Sequence, residues 1–174
     1  MTTRRMLTGR AAVAALMGVG ASTVMAVEPF IPDQQIGQVR LGQTMAQVKA
    51  ELGQPWRDVM RRVGSVEQHT MSFGRINRKC PPNGARCPRI VVRVKGSSVV
   101  SIQSRSTRYR TAGGVGVGST RAQLEQAIPG LTCVDQGARY TYCTNGDRTS
   151  AARTEAWLSP GSGRAYLIGV RRAA

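Results

Sequence analysis

The sequence is short of the residues that most enzyme chemistry draws on. Among 174 residues there is one histidine, and Asp and Glu together number 9. Aromatic residues make up 5% of the chain. Leu, Ile, Val and Phe number 8, 7, 18 and 2, so 35 of 174, about a fifth, the level at which a highly charged chain runs short of core. No stretch approaches the roughly 18 to 20 apolar residues of a bilayer helix, which excludes a transmembrane segment. A lone imidazole excludes a His-x-x-x-His metal site. His69 sits between Gln68 and Thr70 and reads as a solvated or core side chain. The carboxylates Glu51, Asp58, Glu67, Glu125, Asp135, Asp147 and Glu155 show no spacing that recommends an acid–base pair.

Arginine is what the chain has in excess. Of 25 basic residues 22 are arginine, and the formal net charge is +16. A guanidinium binds carboxylate or phosphate by a planar fork as well as by charge, and a charge of this size favours anionic proteins, envelope polymers, lipid surfaces or nucleic acid. A genomic bias toward arginine explains the composition equally well. The tracts Arg57, Arg61, Arg62 and Arg105, Arg108, Arg110 are too short for a nucleic-acid motif.

The first 26 residues run from a basic region (Arg4, Arg5, Arg10) through a weakly apolar stretch, 11–20, to Val24-Met25-Ala26, the pattern of a secretory signal peptide. Thr3-Arg4-Arg5-Met6-Leu7 also resembles a twin-arginine export signal. No cysteine stands near the cleavage site to take a lipid. The expected product, 27–174, is exported to the periplasm or the medium and soluble there. Losing three arginines from the 25 basic residues leaves 22 against 9 acidic, a net charge of +13.

Residues 37–55 match the chain 76 positions later without a gap. Gly37, Val39, Gly42, Thr44, Ala46 and Gln47 fall on Gly113, Val115, Gly118, Thr120, Ala122 and Gln123, as the duplication of a small unit would leave them. Thr44 with Gln47 and Thr120 with Gln123 are both capping boxes and predict helix starts. Met45, Val48 and Leu52 in one copy and Leu124, Ala127 and Ile128 in the other give each helix an apolar stripe. Gly53-Gln54-Pro55 and Pro129-Gly130 end them. The period then falls to two, predicting strands at 68–75, 89–94 and 98–104, and at 131–134, 139–143, 155–158 and 165–170. The expectation is an α+β fold of two tandem units, each a short helical segment packed on an antiparallel β-meander. The first unit spans 27–105, a linker 106–112 and the second unit 113–174.

The motif Gly-x-Thr-x-Ala-Gln-Val-x-x-x-Leu-Gly-x-Pro at 42–55, with its weaker copy from Gly118, resembles the helix motif of the SmpA/OmlA group of small bacterial envelope proteins. The tandem arrangement resembles the β-lactamase-inhibitor-protein fold. The resemblance implies two helix-plus-sheet units forming a concave sheet that grips a partner. This chain lacks the lipidated cysteine of the envelope members.

Cys80 and Cys87 flank a turn-rich loop, and Cys133 and Cys143 flank a hairpin. Local pairing within each unit is expected, although four cysteines permit three connectivities. Intervening stretches of six and nine residues do not match the short knuckles of zinc sites. The glycine run 113–118 lacks the lysine of a phosphate loop, since Ser119 stands there. No pattern requires a cofactor or metal.

Tyr140 and Tyr142 share one face of a strand by alternation, and Trp157 and Tyr166 occupy the next two strands. Together with Phe73 and with Arg105, Arg108 and Arg110 they form the expected partner-binding patch, aromatic with an arginine rim; the alternative is that the aromatics cover the core. The function expected is that of an exported, non-catalytic protein that binds another macromolecule, an acidic protein, through its sheet face, as an inhibitor or envelope scaffold. An electrostatic binder of anionic envelope polymer or nucleic acid is the alternative, and a small secreted hydrolase a third.

Overall fold

A computed structural model describes residues 27–79 and 86–173. The chain enters through three short strands, β1 (Glu28–Ile31), β2 (Gln35–Ile36) and β3 (Val39–Arg40), and reaches α1 (Met45–Leu52). Four strands follow: β4 (Arg57–Val63), β5 (Val66–Lys79), β6 (Arg86–Lys95) and β7 (Ser98–Ser104). After β8 (Tyr109–Arg110) and α2 (Arg121–Ala127) come β9 (Thr132–Asp135), β10 (Thr141–Thr144), β11 (Ala152–Leu158) and β12 (Ala165–Arg172).

Both helices start where the capping boxes put them. Thr44 and Thr120 accept from the amides of Gln47 and Gln123, and each glutamine side chain accepts from its cap amide in return. The helices are short, 8 and 7 residues, and each buries a single side chain completely, Val48 and Leu124. They contribute contacts to the core and do not define the architecture.

The expected α+β arrangement of two tandem helix-plus-meander units is corrected by the sheet topology. The protein is mostly β. Strands β4 to β7 and β9 to β12 do not form separate sheets, but one eight-stranded sheet in the order β4-β5-β6-β7-β12-β11-β10-β9, with antiparallel pairing throughout. The physical reason is that each meander ends in a strand with an unpaired edge, and β7 and β12 satisfy one another along 101–104 and 168–171. A second sheet, β3-β2-β1-β8, contains the parallel pair β1–β8. Its strand β8 lies in the stretch expected to be linker, so the linker is itself part of a sheet.

One core holds these layers together. Alternate residues of the large sheet, including Met71, Phe73, Ile90, Val92, Ile102, Ile168 and Val170, pack in one cluster with Val48, Leu124 and Ile128 of the helical segments and with Phe30, Ile36 and Val39 of the small sheet. The helices and the small sheet therefore cover the same side of the eight-stranded sheet. Asp33 fastens the covering layer: its amide donates to the Thr154 hydroxyl at 2.9 Å, that hydroxyl donates back to the Asp33 carboxylate at 2.7 Å, and Asn145 donates to both carboxylate oxygens at 2.9 Å. Asp33 adopts φ 62°, left-handed backbone that aspartate tolerates better than most residues.

Two register shifts determine which side chains leave the core. Val99 and Ile102 are both fully buried although three positions apart, and the bulge opposite Arg93/Val94 takes up the extra residue. Ala165 and Ile168 repeat the pattern, with a bulge opposite Trp157/Leu158. A bulge sends two consecutive residues to one side, so Tyr166 and Leu167 both join the uncovered face.

Candidate functional site

The side of the large sheet away from the helices carries the other half of each strand. On β6 the alternation is plain: Ile90, Val92 and Val94 are buried in the core, while Val91, Arg93 and Lys95 are half-buried opposite. On β11 Ala156 and Leu158 are core, and Arg153, Glu155 and Trp157 face outward. This open face is the candidate site.

Its aromatic end is built by registry. Tyr142 lies directly across from Trp157 in the β10–β11 ladder, and Trp157 across from Leu167 in β11–β12. The two rings meet with centroids 5.4 Å apart at 56°, a tilted pairing favoured by the ring quadrupoles. Arg105 lies over the Tyr166 ring, 5.2 Å from its centroid, within cation–π range. Tyr140, Tyr142, Trp157, Arg153, Glu155 and Arg171 line an open depression of about 500 Å³.

Glu155 is the acidic centre of the face. Its side chain is 3% exposed. Oε1 accepts from the Tyr142 hydroxyl at 2.9 Å and from Arg153 Nε at 3.0 Å, while Oε2 stands 3.6 Å from Arg171 Nε. Arg153 Nη1 also donates to the Asp147 carbonyl at 2.8 Å. Burial, and then the Glu155 charge, raise the Tyr142 phenol above its ordinary value, so it remains a neutral donor at physiological pH. Burial also raises Tyr166. Burial first, and the neighbouring Arg171 second, push the Arg93 guanidinium below its ordinary value.

Of the residues expected to bind a partner, the structure brings Tyr140, Tyr142, Trp157, Tyr166 and Arg105 together. It separates three others. Phe73 is 3% exposed and belongs to the core on the covered side. Arg108 pairs with Glu28 beside β1 at 3.4 Å. Arg110 folds back on the Thr107 and Gly114 carbonyls, both at 3.1 Å. Alternation along β5 turns Phe73 to the covered side with Met71, and the two arginines share another cause: β8 pairs with β1 in the small sheet, so the arginine tract leaves the open face after Arg105.

Sequence reasoning missed Arg93, Ser101, Arg153, Glu155, Leu167 and Arg171. Alternation with Trp157 along Arg153-x-Glu155-x-Trp157 is a signal that could have found two of them, Arg153 and Glu155, by the same argument that placed Tyr140 with Tyr142. The positions of Arg93 and Arg171 required knowledge that β7 pairs with β12.

The remaining sequence features resolve as structure. Cys133 and Cys143, directly opposed in the β9–β10 ladder, form a disulfide, whereas the expected Cys80–Cys87 pairing lies outside the described residues. His69 does have an acid beside it, since Nδ1 is 3.1 Å from Asp58 Oδ1. The glycine run bends tightly around β8. A side chain at Gly116 would collide with the Tyr109 carbonyl oxygen, and Gly114 and Gly118 hold φ 75° and 95°, values that favour glycine. The depression there, about 670 Å³, includes Arg110 and Arg164 in its lining. Their guanidinium groups donate to the Gly114 and Gly118 carbonyls.

No family model matches the chain, and no curated protein matches it. Solved structures align with it to differing degrees. The uncharacterized protein yfeY from Escherichia coli is similar over 83% of this chain and 98% of its own, at 12% identity and a TM-score of 0.50. A cysteine-rich secretory protein (SAV1118) from Staphylococcus aureus aligns over 76% of this chain and 43% of its own, at 10% identity and a TM-score of 0.43. An extracellular protein containing a SCP domain from Bacillus anthracis aligns over 96% of this chain and 50% of its own, at 8% identity and a TM-score of 0.47. The chain thus spans half or less of the Staphylococcus and Bacillus proteins and nearly the full length of yfeY. At 12% identity the similarity to yfeY is one of fold.

Proposed function

We propose that this chain is an exported, non-catalytic binding protein that engages an acidic protein through the open face of its eight-stranded sheet. The observation that carries the reading is the Tyr142–Trp157 pair with Leu167, an apolar platform on the uncovered side of a sheet whose other side carries the core. Tyrosine and tryptophan grouped on an open face and edged by arginine are the residue types that dominate interface energetics. The Cys133–Cys143 disulfide fits an oxidising compartment and so an exported chain. Among the described residues no helix is long and apolar enough to cross a membrane. The mechanism is occlusion or scaffolding by a preformed surface: arginines raise the encounter rate with an acidic partner, and the aromatics supply the desolvated contacts.

The test is capture from exported proteins and envelope fractions of the source organism by the oxidised protein, at about 0.15 M salt and again at roughly 0.5 M, where screening is far stronger. A discrete protein retained at high salt, and lost when Tyr142 and Trp157 are both replaced by alanine, supports the reading. Broad capture of polyanions that disappears at high salt would overturn it in favour of charge-driven polymer binding.

A further inference from the structure

A row of outward-facing residues crosses the middle of the open face. Registry places Arg93 of β6 opposite Ser101 of β7, Ser101 opposite Arg171 of β12, and Arg171 opposite Arg153 of β11. Directly opposed side chains in neighbouring strands stand about 4.5 to 5.5 Å apart at Cβ, so Ser101 is bracketed by two arginines. It is 2% exposed and its hydroxyl has no hydrogen-bond partner among the described residues. A buried hydroxyl without a partner is costly.

The charge around it is unbalanced. Glu155 is the one carboxylate of this cluster, and its Oε1 is already taken by Arg153 and Tyr142. Arg171 meets it only through Nε at 3.6 Å, outside hydrogen-bond distance. Arg93 has no ion pair or hydrogen bond among the described residues; burial first and repulsion from Arg171 second lower its proton affinity, against a smaller attraction from Glu155. On either side of the row the surface dips, into the aromatic depression and into another of about 590 Å³ bounded by Arg57, Arg61 and Arg93. Two positive groups held together around an unsatisfied hydroxyl are arranged for a negative group that arrives from outside.

We propose that Arg93, Ser101 and Arg171 form a seat for a carboxylate, presented by an acidic side chain of a protein partner whose apolar neighbour rests on Tyr142, Trp157 and Leu167. The inference rests on the binding role assigned to this face and names the chemistry its centre selects. A protein segment is favoured over a phosphate polymer because the seat adjoins an apolar platform, which an acidic and apolar peptide covers and a polyphosphate does not. The carboxylate accepts from both guanidinium groups and from the Ser101 hydroxyl; no bond is made or broken.

The test follows the arginine Nε–H resonances of the oxidised protein by NMR at about 0.15 M salt. The probes are a synthetic peptide with glutamates flanking a leucine and a tripolyphosphate of equal charge. Saturable shifts of Arg93 and Arg171 with the peptide are expected. Arg93→Gln should weaken that binding about tenfold, whereas Arg40→Gln, the same loss of charge on the covered side, should change it less than about twofold. Arg93→Gln removes a repulsion, so its amide spectrum should stay native. Equal losses from the two variants, equal or tighter binding of tripolyphosphate, or no saturation would each overturn the seat. If a natural protein is captured with undiminished yield by Arg93→Gln, the seat fails while the face remains a binding face; if the peptide saturates the seat but no protein is ever captured, the seat stands and the broader function fails.

Discussion

Asp33 and Thr154, 121 positions apart, exchange hydrogen bonds in both directions: amide to hydroxyl at 2.9 Å and hydroxyl to carboxylate at 2.7 Å. Thr154 is fully buried on the covered side of β11, so this pair ties the β1–β2 turn to the large sheet. Asp33→Ala should cost about 2 to 3 kcal/mol, the range for stranding a buried hydroxyl and losing a charged acceptor. Urea unfolding with an unchanged slope checks it. Asp33→Asn, which keeps the tolerance for left-handed backbone, should lose less than Asp33→Ala; equal losses would mean that the hydrogen bonds to the carboxylate outweigh backbone conformation.

Glu155→Gln removes the carboxylate paired with Arg153, whose side chain is 9% exposed. Breaking one partner of a buried pair leaves an uncompensated charge and costs about 3 to 5 kcal/mol. A midpoint displaced by less than a third of this would show that Arg153 finds water or another acceptor.

Tyr109 is buried and its phenol is raised to about 12, by burial first and by Glu28 next. The unfolded chain ionises this group near 10, so the stability it contributes is complete below pH 10 and is lost as pH climbs toward 12. Tyr109→Phe should lose less stability than the parent between pH 10 and 12, by on the order of 2 kcal/mol. Parallel urea titrations at the two ends of this window decide it; identical losses would refute the assignment.

The Cys133–Cys143 bridge closes a separation of 10 residues, for which chain entropy predicts about 2.5 to 3 kcal/mol. The double variant Cys133→Ser with Cys143→Ser should unfold at correspondingly lower denaturant. It should also loosen β9, whose other residues are mostly exposed. Protection of β9 amides from exchange reads this directly.

Local chemistry was legible in the sequence and long-range pairing was not. Thr44–Gln47 and Thr120–Gln123 specify helix starts because every interaction lies within four residues. The same clarity misled the fold class, since two well-marked helices of 8 and 7 residues drew attention from the strands that dominate. Strand β4 reads Arg-Asp-Val-Met-Arg-Arg-Val and has no apolar alternation, because it is an edge strand with little burial on either side. Strands β2, β3 and β8 are two residues long, too short for any period. Tyr140 and Tyr142 share a face by alternation within one strand, whereas the place of Tyr166 depends on a bulge that only the partner strand reveals. Phe73 looked equivalent to them until the core claimed its face.

The junction of β7 with β12 also sets a timetable. Strand β7 is complete at Ser104, yet its second hydrogen-bonding edge waits for residues 168–171, more than sixty positions later in synthesis. Until then the first meander presents a row of open amides and carbonyls, the feature that invites pairing with a foreign chain. The slow step of folding should therefore be closure of this seam, and a polypeptide stopped before β12 should aggregate through β7, whatever the quality of its helices.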